Sequence, residues 1–184
     1  DVNESYSEFG VNKKGEIRFG LSAIKGMGEG AALAIVKERE DNGPYKDIYD
    51  FAERVDYSCV NRKAFESLAL SGGFDNFAFQ REQYLAANQK GETFLDVLVR
   101  YGQLFQTEQR EAQNSLFGGE QAVEIARPQP VEAEGWSNIE KLNRERDLVG
   151  IYISAHPLDE FSIILNTMCN THCSELDNKE ELTK

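Results

Sequence analysis

Apolar residues recur at helical spacing along most of the N-terminal half of the chain. The clearest stripe predicts a long helix that begins at Gln80, and its apolar members are Phe94, Leu98, Tyr101 and Phe105. Gly91 and Gly102 fall within this helix and are its weakest positions, because glycine disfavours helix interiors. Shorter stripes predict further helices, namely residues 21–25, 30–41 and 47–55 and two segments capped by Asn61 and Ser137.

A different pattern, alternation of apolar and polar positions, occurs near the N-terminus and predicts a β-hairpin around a turn at residues 12–15. Its apolar members are Phe9, Val11, Ile17 and Phe19. Residues 150–158 form an apolar run that stops at Pro157 and predicts a strand or an extended segment. The patterns together predict a mainly α protein with a small N-terminal β-hairpin and a short helix-strand segment near the C-terminus.

The stretch from Thr107 to Glu134 has little periodicity and is rich in Gln, Glu, Gly and Pro. Such a composition is typical of a linker. The chain is therefore expected to divide into a helical module at 1–106, a linker at 107–134 and a C-terminal segment at 135–184.

Three glycines at alternate positions, Gly26, Gly28 and Gly30, lie in the stretch AIKGMGEGAALAIVKER. No Lys-Ser or Lys-Thr follows them, as a Walker loop requires, and a helix rather than a strand precedes them, so a dinucleotide fingerprint does not fit either. The remaining interpretation is a helix-hairpin-helix module. In it Gly26 and Gly28 permit positive φ, so that the chain can reverse in very few residues, while Met27 packs between the two helices.

The amides from Gly28 to Ala31 begin the second helix of this hairpin, where they lack intrahelical acceptors and carry positive partial charge. They could bind one backbone phosphate without reading the base. Glu29 adds negative charge where that phosphate would approach. Leu70–Phe74 is a degenerate second turn, and both turns could instead be connectors that bind nothing. The candidate DNA-binding residues are Lys25, Gly26, Met27, Gly28, Glu29, Gly30, Ala31, Gly72 and Gly73.

Two large apolar residues stand out within the polar linker. They occur in QNSLF, where Gln113 precedes Leu116 and Phe117. An extended segment could place both apolar side chains in a pocket of a partner, with Gln113 forming hydrogen bonds at its rim. Alternatively, Leu116 and Phe117 could dock onto their own domain.

The net charge of −12 argues against strong steering towards nucleic acid. The charge is uneven, however: residues 1–90 carry 12 basic and 15 acidic side chains, a net of −3, whereas residues 91–184 carry 8 and 17, a net of −9. Local basic clusters in the first half could still bind a phosphate. These clusters are Lys13 with Lys14, Arg18, Lys25, and Arg62 with Lys63.

The cysteine content and the apolar runs indicate the cellular compartment in which the protein resides. The three cysteines are too few for a disulfide framework and suit a reducing cytoplasm. Cys169, His172 and Cys173 lack the fourth ligand of a structural zinc site. No apolar run is long enough to span a membrane. The chain begins without Met, which favours a piece of a longer protein.

Five segments, in order, resemble the family of bacterial DNA polymerase III alpha subunits. They are DVNESYSEFGV, IRFGLSAIKGMGEGAALAIVKER, GPYKDIYDFAERVD, VNRKAFESLALSGGFD and LVGIYISAHPLDEF. The resemblance covers roughly Asp1 to Phe161. It implies a tandem helix-hairpin-helix module that grips duplex DNA, then a Q-x-x-[LM]-F motif whose counterparts here, Gln113, Leu116 and Phe117, bind the sliding clamp.

The resemblance also implies a role in processive synthesis beside other replicative polymerase subunits. Mg²⁺ is expected for the parent polymerase, whose catalytic carboxylates lie upstream of the matched region. No catalytic residue, metal ligand or cofactor is assigned to this chain. Two alternatives remain open: a DNA glycosylase of the helix-hairpin-helix type, which needs a catalytic Asp after the hairpin, and a purely structural interaction domain.

Overall fold

The computed structural model describes residues 1–12, 14–114 and 125–168. Within them lie an antiparallel pair of short strands and seven α-helices. The strands are β1 (Gly10–Val11) and β2 (Ile17–Arg18), with Val11 opposite Ile17. The helices are α1 (Glu29–Asn42), α2 (Ile48–Arg54), α3 (Arg62–Leu70), α4 (Arg81–Leu85), α5 (Phe94–Asn114), α6 (Asn138–Val149) and α7 (Ser162–Met168). The predicted mainly α class with an N-terminal hairpin is confirmed.

Side-chain caps fix where several helices begin. The side chain of Asp47 accepts a hydrogen bond from the Asp50 amide at 2.7 Å and starts α2. Asn61 starts α3 in the same way, as its sequence predicted, by accepting from the Ala64 amide at 3.0 Å. Each cap satisfies one amide that the first helical turn leaves without a partner.

The long helix predicted from Gln80 is wrong, because the chain there forms two helices. Helix α4 ends at Leu85, and the chain then turns through Gly91, whose φ is +79°. Helix α5 starts only at Phe94, where Asp96 accepts from the amide of Thr93 at 2.9 Å. All four members of the apolar stripe lie in α5, so the stripe predicted that helix but carried no information on the residues before Phe94.

Other boundaries also differ from those predicted. The helix expected at 21–25 is a single 3-10 turn, Leu21–Ala23. Helix α5 continues to Asn114, past the position at which the linker was expected to begin. Residues 150–158, predicted as a strand or an extended segment, pair with no strand among the described residues. No helix in the described part of the chain is long and apolar enough to cross a membrane.

The core is an aromatic cluster enclosed by α2, α3, α4 and α5. The Phe51 ring lies 5.2 Å from the Phe65 ring and 5.0 Å from the Phe74 ring, and Tyr84 lies 5.6 Å from Phe74, measured between centroids. All four rings are almost completely buried. Helix α5 crosses α2 at Gly102, where the two backbones touch.

Helix α6 attaches the C-terminal segment to this core through a buried ion pair. Arg81 Nη1 donates to Glu145 Oε2 at 3.0 Å, and Glu145 is only 1% exposed. The other oxygen of Glu145 accepts from the amides of Ile153 and Ser154 at 2.7 and 2.8 Å. Burial acts to raise the pKa of Glu145, but these hydrogen bonds and Arg81 outweigh it and hold the pKa below its ordinary value. The carboxylate therefore stays charged.

Candidate nucleic-acid interface

The first glycine hairpin joins the 3-10 turn to α1. Gly26 has a φ of +89°, as predicted, and makes the chain reverse. Gly28 is different: its φ of −76° and ψ of 152° are those of extended backbone, and it is the N-cap of α1. Of the two glycines that permit positive φ, only Gly26 therefore adopts it. Because α1 begins at Glu29, the residue before it adopts the extended conformation usual for an N-cap.

The backbone from Gly28 to Gly30 lies on the exposed edge of the hairpin, and Ala31 follows as a buried residue. Within residues 1–12, 14–114 and 125–168, none of the amides from Gly28 to Ala31 donates a hydrogen bond, and no side chain caps α1. A Cβ built on Gly28 or Gly30 would meet no atom within 4 Å, so the surface beside these two Cα atoms is open. The unpaired amides lie at the positive end of a 14-residue helix, where an anion is stabilised.

Buried apolar side chains hold this exposed edge in place. Met27 is 5% exposed, Ile24 is 6% exposed and Ala31 is 4% exposed, although the residues between them face solvent. Met27 therefore packs inward as predicted. The buried Met27 thus anchors the turn to the core, while Gly26, Gly28 and Gly30 remain exposed.

Two hydrogen bonds from other elements brace the hairpin at Lys25. Its amide donates to the carbonyl oxygen of Leu148 in α6 at 2.9 Å. Its carbonyl oxygen accepts from the hydroxyl of Ser67 in α3, also at 2.9 Å. Ser67 is fully buried, and a Cβ on Gly26 would lie 2.6 Å from its Oγ atom. The hairpin thus depends on close contact with α3 and on the C-terminal end of α6.

Gly26→Ala is expected to lower the free energy of unfolding by about 2–3 kcal/mol. The left-handed backbone costs an alanine roughly 1–2 kcal/mol, and displacement of Ser67 removes a hydrogen bond worth about 1 kcal/mol. Gly150→Ala is the matched control, since Gly150 also has a φ of +89° but a Cβ there meets nothing within 4 Å. Urea denaturation should show a loss of about 1–2 kcal/mol for the control, which lacks the clash with Ser67. Equal losses would contradict the role of the contact with Ser67.

Charged side chains of both signs flank the hairpin. Lys25 and Glu29 are exposed, and within the part of the chain that the structure describes Glu29 makes no ion pair. An exposed carboxylate is screened by solvent, so its opposition to an approaching phosphate is weaker than that of a buried one.

At the second turn, unlike the first, other parts of the protein already bond the backbone groups and occupy the adjacent space. The amide of Gly73 donates to the carbonyl oxygen of Leu68 at 2.7 Å, and its carbonyl oxygen accepts from the amide of Val2 at 3.1 Å. A Cβ on Gly72 would overlap the guanidinium of Arg81. The geometry at Gly72 and Gly73 thus favours packing over phosphate binding.

The peptide motif lies mostly outside the described residues. The backbone of Gln113 belongs to the last turn of α5, whereas Leu116 and Phe117 fall in the part of the chain not described. The described chain resumes at residue 125 and is fastened to α2, where the hydroxyl of Tyr49 donates to the carbonyl oxygen of Pro128 at 2.6 Å.

The described residues contain no group of three or more His, Cys, Asp or Glu side chains that could hold a metal ion. The cluster of Cys169, His172 and Cys173 lies outside the described residues.

Sequence reasoning missed the contribution of Ser67. A usable signal was present, because Ser67 is a polar residue among the inward-facing apolar positions of α3, next to Leu68. No such signal was present for Leu148, because its backbone carbonyl oxygen accepts the hydrogen bond and any residue has one.

Comparison with known proteins gives consistent matches. The family model described as a helix-hairpin-helix motif matches residues 1–84. The chain is 34% identical over 160 residues to the DNA polymerase III subunit alpha of Caulobacter vibrioides, covering 87% of this chain and 13% of that protein. It is 38% identical over 161 residues to the subunit of Deinococcus radiodurans, covering 87% and 12%. It is 39% identical over 158 residues to the subunit of Thermus aquaticus, covering 86% and 12%. The chain thus spans about an eighth of the length of these relatives.

Proposed function

The chain belongs to the family of DNA polymerase III alpha subunits, and from this premise we propose that it is a non-catalytic segment that holds duplex DNA by its backbone phosphates. The observation that carries the proposal is the row of unpaired amides from Gly28 to Ala31. Their placement at an exposed helix N-terminus suits an anion, and duplex DNA presents anions at regular intervals.

The contact would be independent of sequence. Backbone amides that bind phosphate oxygens fix the position of a strand but carry no information about its bases. A replicative polymerase must move over every sequence, so this mode of binding suits the activity of the relatives. The nucleotidyl transfer itself and its Mg²⁺ would reside in other parts of a full-length polymerase, with further replicative subunits as partners in the cytoplasm.

Gly28→Asp is expected to abolish most DNA binding without lowering stability. An aspartate at the N-cap is favourable for a helix, and its carboxylate would accept from the amides of Gly30 and Ala31 that the phosphate needs. Loss of one charge-assisted contact worth about 1.5–3 kcal/mol corresponds to an affinity loss of about 10–100-fold. The measurement is a fluorescence titration of labelled duplex DNA with the 184-residue chain at low salt.

Gly91→Asp is the matched control for that titration. It adds the same charge at another exposed turn, where a Cβ meets nothing within 4 Å; because the φ of +79° at Gly91 strains an aspartate, circular dichroism must first show that this variant is folded. The control should bind as the wild type does. If wild type and Gly28→Asp bind DNA with equal affinity, the hairpin has no role in DNA binding and only connects two helices. Binding that does not weaken as salt rises would count against phosphate contacts.

We further propose that Gln113, Leu116 and Phe117 bind the sliding clamp. The support is the motif itself, two large apolar residues after a glutamine in a polar segment, together with the polymerase relatives. A peptide spanning residues 109–119 should bind the clamp in a calorimetric titration. Leu116→Ala combined with Phe117→Ala should remove the binding, and failure of the unaltered peptide to bind would dismiss this partner.

The three relatives reported above are polymerase subunits, which disfavours a DNA glycosylase. The structural alternative is one outcome of the DNA titration.

A further inference from the structure

A lysine outside the glycine motif lies across the hairpin. Lys63 is the second residue of α3, and its Cγ and Cε atoms lie 3.5 and 3.4 Å from the point at which a Gly26 side chain would begin. Its side chain is 57% exposed. The aliphatic stem thus covers the turn, while the ammonium group extends into solvent beside the exposed backbone that leads to Gly28.

The ion pair that Lys63 forms is weak and replaceable. Its Nζ atom lies 3.4 Å from Oε1 of Glu66, three residues further along the same helix. Such exposed pairs contribute about 0–1 kcal/mol. Glu66 also pairs with Arg62. Glu66 therefore keeps an ionic partner when Lys63 turns away, and Lys63 can exchange this weak pair for another anion.

Arg62, although adjacent, is held in place. Its Nε atom donates to Oδ1 of Asp96 at 2.8 Å, and Nη1 donates to Glu66. Burial acts to raise the pKa of Asp96, but hydrogen bonds from Thr93 and Arg62 outweigh it and lower the pKa to about 2. Asp96 thus remains ionised and retains Arg62, which leaves Lys63 as the adaptable cation on this side of the hairpin.

We propose that Lys63 binds the DNA phosphate next to the one held by the amides of Gly28 to Ala31, so that α3 contributes a second contact to the same strand. This inference rests on the proposed function of the hairpin. A lysine ammonium is a compact charge on a flexible stem, so it can follow a phosphate without a fixed hydrogen-bonding geometry. It also offsets the negative charge that Glu29 places near the first phosphate.

The test is the salt dependence of duplex DNA binding by Lys63→Gln in the 184-residue chain. One phosphate contact fewer should reduce the slope of log K against log salt by about 0.9 and weaken binding at low salt about 3–10-fold. Lys63→Arg keeps the charge and should retain the wild-type slope. The control is Lys37→Gln, which removes the same charge from α1 about 12 Å along the helix from Glu29 and should also retain that slope.

Separate outcomes overturn the two proposals. If Gly28→Asp loses binding while Lys63→Gln binds with the wild-type affinity and slope, the hairpin proposal stands and the role of Lys63 is wrong. If Lys37→Gln lowers the slope as much as Lys63→Gln does, the contact is a general charge effect, and the specific role of Lys63 is again wrong. If the wild type shows no salt-dependent binding, both proposals fail.

Discussion

Glu145→Ala is expected to lower the free energy of unfolding by about 2–4 kcal/mol, because a buried arginine loses one of its two carboxylate partners and two amides lose their acceptor. Arg81 is 9% exposed and would keep only Asp75 as an ionic partner. The amides of Ile153 and Ser154 would lose the carboxylate that now accepts from them. Helix α6 should then be held to the core by fewer contacts, among them the hydrogen bond from the Lys25 amide to Leu148.

Urea denaturation of Glu145→Ala checks this expectation. The matched control is Glu140→Ala, which removes a carboxylate from the same helix whose pair with Arg144 is exposed. Such a pair contributes about 0.5 kcal/mol or less. Glu145→Gln, which keeps one acceptor oxygen, should fall between the two. A loss below about 1 kcal/mol for Glu145→Ala would contradict the ion pair's importance to stability.

Gly102→Ala is expected to destabilise the protein by at least about 3 kcal/mol, although alanine is ordinarily the better helix former. A Cβ at this position would overlap the carbonyl oxygen of Ala52 and the hydroxyl of Tyr57, which donates to that carbonyl at 2.8 Å. The backbone of α2 cannot rotate away from the added methyl group as a side chain could. Helices α2 and α5 must therefore separate along their crossing.

Gly30→Ala tests whether the effect at Gly102 comes from packing. Gly30 lies in α1, and a Cβ there meets no atom within 4 Å. The same substitution should stabilise the protein by about 0.4–1 kcal/mol at this position, because it reduces the freedom of the unfolded chain. The two variants are thus expected to change the melting temperature in opposite directions. A decrease of similar size in both would contradict the close approach of α2 and α5.

Local signals predicted those parts of the fold that local interactions determine. Asn61 was identified as a cap because a side-chain oxygen before an apolar stripe satisfies an amide of the first turn. The hairpin at Gly26 was located because only glycine accommodates its left-handed backbone readily. The conformation of Gly28 was not predicted, since a glycine tolerates an N-cap conformation as well as a left-handed one.

Contacts between distant segments could not be predicted in the same way. The hydrogen bond from the Lys25 amide to Leu148 joins backbone atoms, for which any residue would serve. The second turn matched the glycine pattern well enough to be a candidate. Its filling by Arg81 depends on where α4 packs, and no periodicity encodes that position.

The amide resonances of Gly28, Glu29, Gly30 and Ala31 provide the most direct test of the central claim that this hairpin holds a DNA phosphate. In a ¹H–¹⁵N titration of the chain with duplex DNA, we expect these four resonances to shift first and most. The amide of Gly73 should not move, because it already donates to Leu68. Saturable binding that leaves the four resonances unchanged, or that shifts Gly73 in their place, would contradict the account.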